Sequence, residues 1–142
     1  MTIDLRRAPA REFMNPTVHW AAAHENLRAA AVRMEQNGLR ALLVAGDGPN
    51  DLPGIVTSKD IVNLLGSQDP AALDQLQVTD VMTRPAFCVT APTSVRDCIN
   101  LMRMAGVRRV PVVDGTTVIG VLSASDVFRR CFGAPTPRPG AE

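Results

Sequence analysis

Two short stretches of this 142-residue chain carry its most pointed chemistry: GIVTSKDIV at 54–62 and GVLSASDVF at 120–128. They share one skeleton, in which Gly and two apolar residues lead to a hydroxyl, two small or polar positions, an Asp and an apolar residue. Thr57 with Asp60, and Ser123 with Asp126, match hydroxyl-x-x-acid ahead of an apolar pair, the signature of a helix capping box. There the hydroxyl accepts an orphan backbone N–H and the carboxylate lies favourably against the helix dipole, a contribution of about 1 kcal/mol. The same spacing has a second use. A strand running into a helix N-terminus offers unpaired N–H groups and partial positive charge to an anion. A carboxylate one turn in can accept two hydrogen bonds from a vicinal diol, and the small hydroxyl beside it adds a polar contact. On these residues alone both readings stand.

Few other groups compete for a chemical role. His19 and His24 lie five apart across a predicted strand and loop with no carboxylate cluster beside them, so no metal is expected. Cys88, Cys98 and Cys131 are odd in number and lack CxxC spacing, which argues against a disulfide framework or a zinc site. Cys98 falls on the apolar stripe of a predicted helix and reads as a buried, inert thiol. Nothing nearby in sequence lowers the pKa of Cys88 or Cys131, as a redox switch would need. No Ser-His-Asp or Cys-His set, P-loop or acid pair with an obvious role is present, so no enzyme is expected. The single Trp, Trp20, suits either stacking on a base or packing in a core or interface.

A net charge of +1 leaves no broad electrostatic footprint for nucleic acid or an anionic membrane. No signal-peptide pattern opens the chain, and no apolar run nears the roughly 18 residues of a membrane span. The expectation is a cytoplasmic protein. With 4% aromatics the core must be aliphatic.

The elements that must hold the two aspartates are themselves written twice. At an offset of 68, LRAAAVRMEQNGLRALLV (27–44) lies over VRDCINLMRMAGVRRVPV (95–112), matching Met34 to Met102, Gly38 to Gly106 and Arg40 to Arg108. Upstream, FMNP (13–16) answers VMTRP (81–85). Downstream, a loop two residues longer in the first copy moves the offset to 66. Val95, Cys98, Ile99 and Met102 fall on one helical face, with Ser94 as N-cap and Gly106 past the end. Leu27, Ala30, Ala31 and Met34 draw the same stripe, closed by Gly38. Two β-branched runs follow, RVPVV and TVIGVLS, joined by an Asp114-Gly115 turn, and a short helix starts near Ser125. PTVHWAA and PAFCVTA read as opening strands, and Pro111 suits an edge strand or a strand's first residue. The fold class expected is α+β, sandwich-like, with two β-α-β-β-α motifs about a pseudo-twofold axis. One motif has too little core to stand alone. The expected division is an extension at 1–12, motif 1 at 13–66, a linker at 67–80, motif 2 at 81–132 and a disordered tail at 133–142. Phe13 and Met14 are expected to cover the neighbouring motif as Val81 and Met82 do.

With VRRVPVVDGTTVIGVLSASDV in the second copy and LRALLVAGDGPNDLPGIVTSKDIV in the first, the chain resembles a tandem pair of cystathionine-β-synthase (CBS) domains. The resemblance implies a non-catalytic regulatory module that binds adenine nucleotides in clefts between its two motifs and signals by conformational change. It implies that Asp60 and Asp126 hold ribose, and that Thr57, Ser58, Lys59, Ser123 and Ser125 contact ribose or phosphate. Leu42, Val110 and Pro111 would flank the base, whose recognition falls to main-chain groups. Leu42-Leu43 stands where the second copy has Val110-Pro111, which alters the backbone at the first site. Arg108 and Arg109 are candidate phosphate contacts; equally, they suit a charged strand edge that discourages aggregation.

No cofactor is required under this reading; an adenosine-containing small molecule is the regulatory ligand, with S-adenosylmethionine or a nicotinamide dinucleotide as alternatives. A homodimer and an unidentified regulated protein are the expected partners, with no nucleic acid and no membrane. The competing reading is a ligand-free dimerisation or interaction module, which the retention of both carboxylates argues against.

Overall fold

The computed structural model describes residues 3–133. The tail expected to be disordered lies outside the described residues except for Gly133. The chain forms two compact units: His19–Ala86, and the described residues up to Val18 joined with those from Phe87 onward.

In the His19–Ala86 unit, β1 (Trp20–Ala21), β2 (Ala41–Val44) and β3 (Gly54–Thr57) form a sheet in that order, β1 parallel and β3 antiparallel to β2. Helices α2 (Leu27–Gln36) and α3 (Ser58–Leu65) follow β1 and β3. The α2 helix begins where the Asn26 side chain accepts the Ala29 N–H at 3.1 Å. It ends at Asn37, with Gly38 at φ +65°, a conformation only glycine adopts freely. Its stripe of Leu27, Ala30 and Met34 buries against Leu42, Val44 and Val56. The half-buried Ala31 lies at the margin.

The 67–80 segment does more than connect. Pro70–Gln75 and Val78–Asp80 form 3₁₀ turns whose Leu73 and Val78 enter this unit's core. The Leu27 N–H donates to the Leu76 carbonyl and the Val78 N–H to the Glu25 carbonyl, each at 2.9 Å. Arg28 adds an ion pair to Asp74 and a bond to the Pro70 carbonyl.

The second unit repeats the plan. Its sheet orders β4 (Val89–Thr90), β5 (Arg109–Asp114) and β6 (Thr117–Ser123), with α4 (Val95–Ala105) and α5 (Ala124–Phe132). Ser94 caps α4 by accepting the Asp97 N–H at 3.1 Å, and Gly106 closes it at φ +70°. The opening strands are shorter than their sequences suggest, with two paired residues each. The β5–β6 turn centres on Gly115 and Thr116, one residue beyond the expected Asp114-Gly115, because Asp114 still pairs with Thr117.

Pro111 lies inside the central strand β5, which corrects the edge-strand expectation. The first unit shows why this is tolerated: Leu43, at the same register, donates its N–H to the His19 carbonyl at 2.9 Å. Pro111 lacks that donor, and β4 pairs with β5 only from Val112 onward, so at most one inter-strand bond is forgone.

The N-terminal residues are built into this second unit. Helix α1 (Ala10–Phe13) places Phe13, 1% exposed, among Val95, Cys98, Val110 and Leu122. Asn15 and Val121 exchange backbone hydrogen bonds at 2.8 and 2.9 Å, as Ile55 and Thr83 do in the other unit at 2.9 Å each way. Phe13 and Met14 thus pack with the second motif's sheet, and Val81 and Met82 with the first's.

Candidate ligand-binding site

Each sheet runs directly into a helix at the doubled motif. Thr57 ends β3, and its Oγ1 accepts the Asp60 N–H at 3.1 Å while Asp60 Oδ2 accepts the Thr57 N–H at 2.9 Å. Ser123 ends β6, and its Oγ accepts the Asp126 N–H at 3.1 Å while Asp126 Oδ2 accepts the Ser123 N–H at 3.3 Å. Both are complete capping boxes. One oxygen of each carboxylate therefore accepts a backbone N–H; Asp60 Oδ1 lies outside that box, and Asp126 Oδ1 accepts from Arg129.

The first residue of each helix is tied as well. The Ser58 N–H donates to the Arg40 carbonyl, and the Ala124 N–H to the Arg108 carbonyl, both at 2.9 Å. These bonds and the capping box take the first and third amides, so the Lys59 and Ser125 amides are the ones these contacts leave to an incoming acceptor. Fewer helix-start donors are therefore available than the sequence suggests.

Pairing of β2 with β3 brings Leu42 beside Val56 and Ala41 beside Thr57, which gathers Leu42, Thr57, Ser58, Lys59 and Asp60 at one junction. Pairing of β5 with β6 sets Arg109 opposite Ser123, Val110 opposite Leu122 and Pro111 opposite Val121. Arg108, Arg109, Val110, Pro111, Ser123, Ser125 and Asp126 therefore share the second junction. Arg108, Lys59 and Ser125 are exposed; Arg109, Thr57, Ser58, Ser123 and both aspartates are half-buried. Leu42 and Val110, 1% and 0% exposed, point into the cores of their own units, so any part they play at a base runs through their backbone. Pro111 and its counterpart Leu43 are also buried but lie outside those clusters, as strand alternation requires. Leu43 thus occupies the place of Pro111, as the 68-residue offset pairs them.

Arg129 is one of the arginines, with Arg40, Arg108, Arg109 and Arg130, that the sequence offers for local anion contacts. It donates to Asp126 Oδ1 at 3.1 Å, a contact foreshadowed by the Asp-x-x-Arg spacing on one helix. It further lines an open hollow of about 590 Å³ on α5 with Ser125, Phe128 and Phe132. Asp60 has no such ion pair among the described residues. Trp20 is 44% exposed, so it is not a core residue. Arg33 bonds both Glu25 oxygens and the Trp20 carbonyl, fastening β1 to α2. His24 Nδ1 pairs with Gln77 Oε1 at 3.1 Å. Cys98 is fully buried as expected, and desolvation with the nearby Asp97 charge pushes its thiol up to about 11; desolvation alone does the same for Cys88.

Comparison with known proteins settles the family. The CBS domain profile matches twice, over residues 10–67 and 78–133. The chain belongs to the CBS domain family. Such pairs are regulatory modules, generally without catalytic activity. Hypoxic response protein 1 of Mycobacterium tuberculosis is 32% identical over 122 residues, covering 84% of this chain and 82% of its own. A crystal structure of Hypoxic Response Protein I with two coordinated zinc ions superposes with a TM-score of 0.70 at 31% identity, covering 87% of this chain and 98% of that one. A hexameric CBS-CP12 protein from bloom-forming cyanobacteria gives a TM-score of 0.79 at 26% identity, covering 98% and 78%. Among the described residues of this CBS pair, no three His, Cys, Asp or Glu side chains come together as metal ligands would. Nor is any described helix long and apolar enough to cross a membrane.

Proposed function

We propose that this CBS pair is a non-catalytic sensor that binds an adenine nucleotide at its strand-to-helix junctions and passes the binding on as a conformational change. The observation that carries the reading is the repeated half-buried carboxylate, Asp60 and Asp126, held by its own capping box with acceptor capacity beyond the one backbone bond. A ribose diol supplies two donors to such an acceptor. The remaining helix-start amide, Lys59 at one junction and Arg108 and Arg109 at the other complement a phosphate. A ligand moves an equilibrium only by its differential affinity for the two states. The signal therefore requires nucleotide to favour one arrangement of the pair.

The test is a thermal-shift panel of AMP, ADP, ATP, S-adenosylmethionine and NAD. A nucleotide that raises the melting temperature in proportion to the logarithm of its concentration supports the sensor. A silent panel leaves the interaction module. One observation favours self-association alongside either reading: α3 and α5 expose apolar side chains at the same register, Val62 and Phe128, 62% and 67% exposed. Leu65 and Phe132 extend those patches one turn on. A second copy of the chain is their proposed occupant.

A further inference from the structure

The two junctions differ in charge three residues after each aspartate. Arg129 follows Asp126 and donates to its Oδ1 at 3.1 Å, whereas Asn63 stands at that register after Asp60. The Asp126 side chain is 14% exposed and that of Arg129 69%. The carboxylate is thus fixed by its surroundings while the guanidinium stands largely in water. An exposed pair three residues apart contributes little stability, so Arg129 can turn away from Asp126 at small cost.

We propose that Arg129 makes the Asp126 junction select phosphorylated over unphosphorylated adenosine ligands, a coupling the Asp60 junction lacks with its neutral Asn63. This rests on the nucleotide reading above. Asp126 Oδ2 accepts the Ser123 N–H and Oδ1 the Arg129 guanidinium, so a ribose diol that engages Oδ1 meets Arg129 there. A nucleoside offers the guanidinium no replacement partner and leaves it competing with the sugar. A nucleotide offers a phosphate, with which Arg forms a bidentate, charge-assisted pair. Sugar binding and phosphate binding are thereby linked through one side chain. At the other junction the cation is Lys59, which makes no ion pair with Asp60 among the described residues, so nothing is displaced there.

The experiment measures AMP and adenosine affinities by calorimetry in an Asp60→Asn chain, which isolates the Asp126 junction. Adding Arg129→Asn, which copies the first repeat, lowers the preference for AMP over adenosine by about tenfold, and added salt erodes the parent's preference. Where Asp60→Asn does not fold, Arg129→Asn in the parent lowers the preference at one of two fitted sites. A preference unchanged within about twofold, beside intact binding of both ligands, overturns the inference alone. Failure of both ligands to bind the parent chain overturns the nucleotide reading and takes this inference with it.

Discussion

At the scale of single residues, the doubled Asp carries two readings, helix capping and ligand binding, that sequence could not separate. Its spacing from Thr57 or Ser123 announced the capping box, and the box is present in full. What spacing could not show is that the first helix amide is satisfied as well, since the Arg40 and Arg108 carbonyls accept the Ser58 and Ala124 N–H groups through strand pairing. The burial of Cys98 was legible from helical period alone, and it has a consequence in solution. The thiols of Cys88 and Cys98 sit near 11 against an ordinary 9.0. Between those values the folded state keeps protons that the unfolded chain has released, so stability is full below about pH 9 and falls as pH rises toward 11. The chain has no Tyr and a single Lys, so few other side chains titrate there. Urea midpoints measured across this window are expected to fall in the parent and to fall less in a Cys88→Ala, Cys98→Ala variant.

At the scale of elements, the periodic helices and the β-branched strands were readable because each depends on its neighbours in sequence. The shortness of β1 and β4, the role of the 67–80 segment in a core and the central place of Pro111 depend on partners far along the chain, which period does not encode. The Leu43 and Pro111 pair turns that difference into a measurement. Leu43→Pro removes the N–H that bonds the His19 carbonyl at 2.9 Å, and is expected to destabilise by about 0.5–1.5 kcal/mol by urea denaturation. The glycines that open the doubled motif give a second. A Cβ on Gly120 would lie 2.5 Å from Met14 Sδ and 2.9 Å from the Asn15 carbonyl oxygen; on Gly54 it would lie 3.2 Å from both Met82 Sδ and the Thr83 oxygen. A thioether can swing aside, but a backbone oxygen held by a bridge cannot. Gly120→Ala is therefore expected to cost about 1–3 kcal/mol, and Gly54→Ala distinctly less.

At the scale of the whole molecule, the internal repeat was the strongest signal, and it led through the resemblance to the family that the profile match establishes over both copies. The composition of the two compact units was only partly legible. Phe13 and Met14 belong with the second motif's core, a placement the echo of FMNP in VMTRP suggested but could not prove. Exposed apolar side chains are readable only from coordinates, because Phe128 and Phe132 fit a helical stripe as well as any core residue would. On the proposed association through these rings, Phe128→Asp with Phe132→Asp raises the monomer fraction in sedimentation velocity. Unchanged association would remove α5 from the interface. A sensor, however, stands or falls on its ligand. The most direct measurement is calorimetric titration of AMP into the parent chain and into the Asp60→Ala, Asp126→Ala variant, with circular dichroism confirming that both are folded. The account predicts saturable binding by the parent and none by the variant. Equal binding by both, or none by the parent, would contradict it.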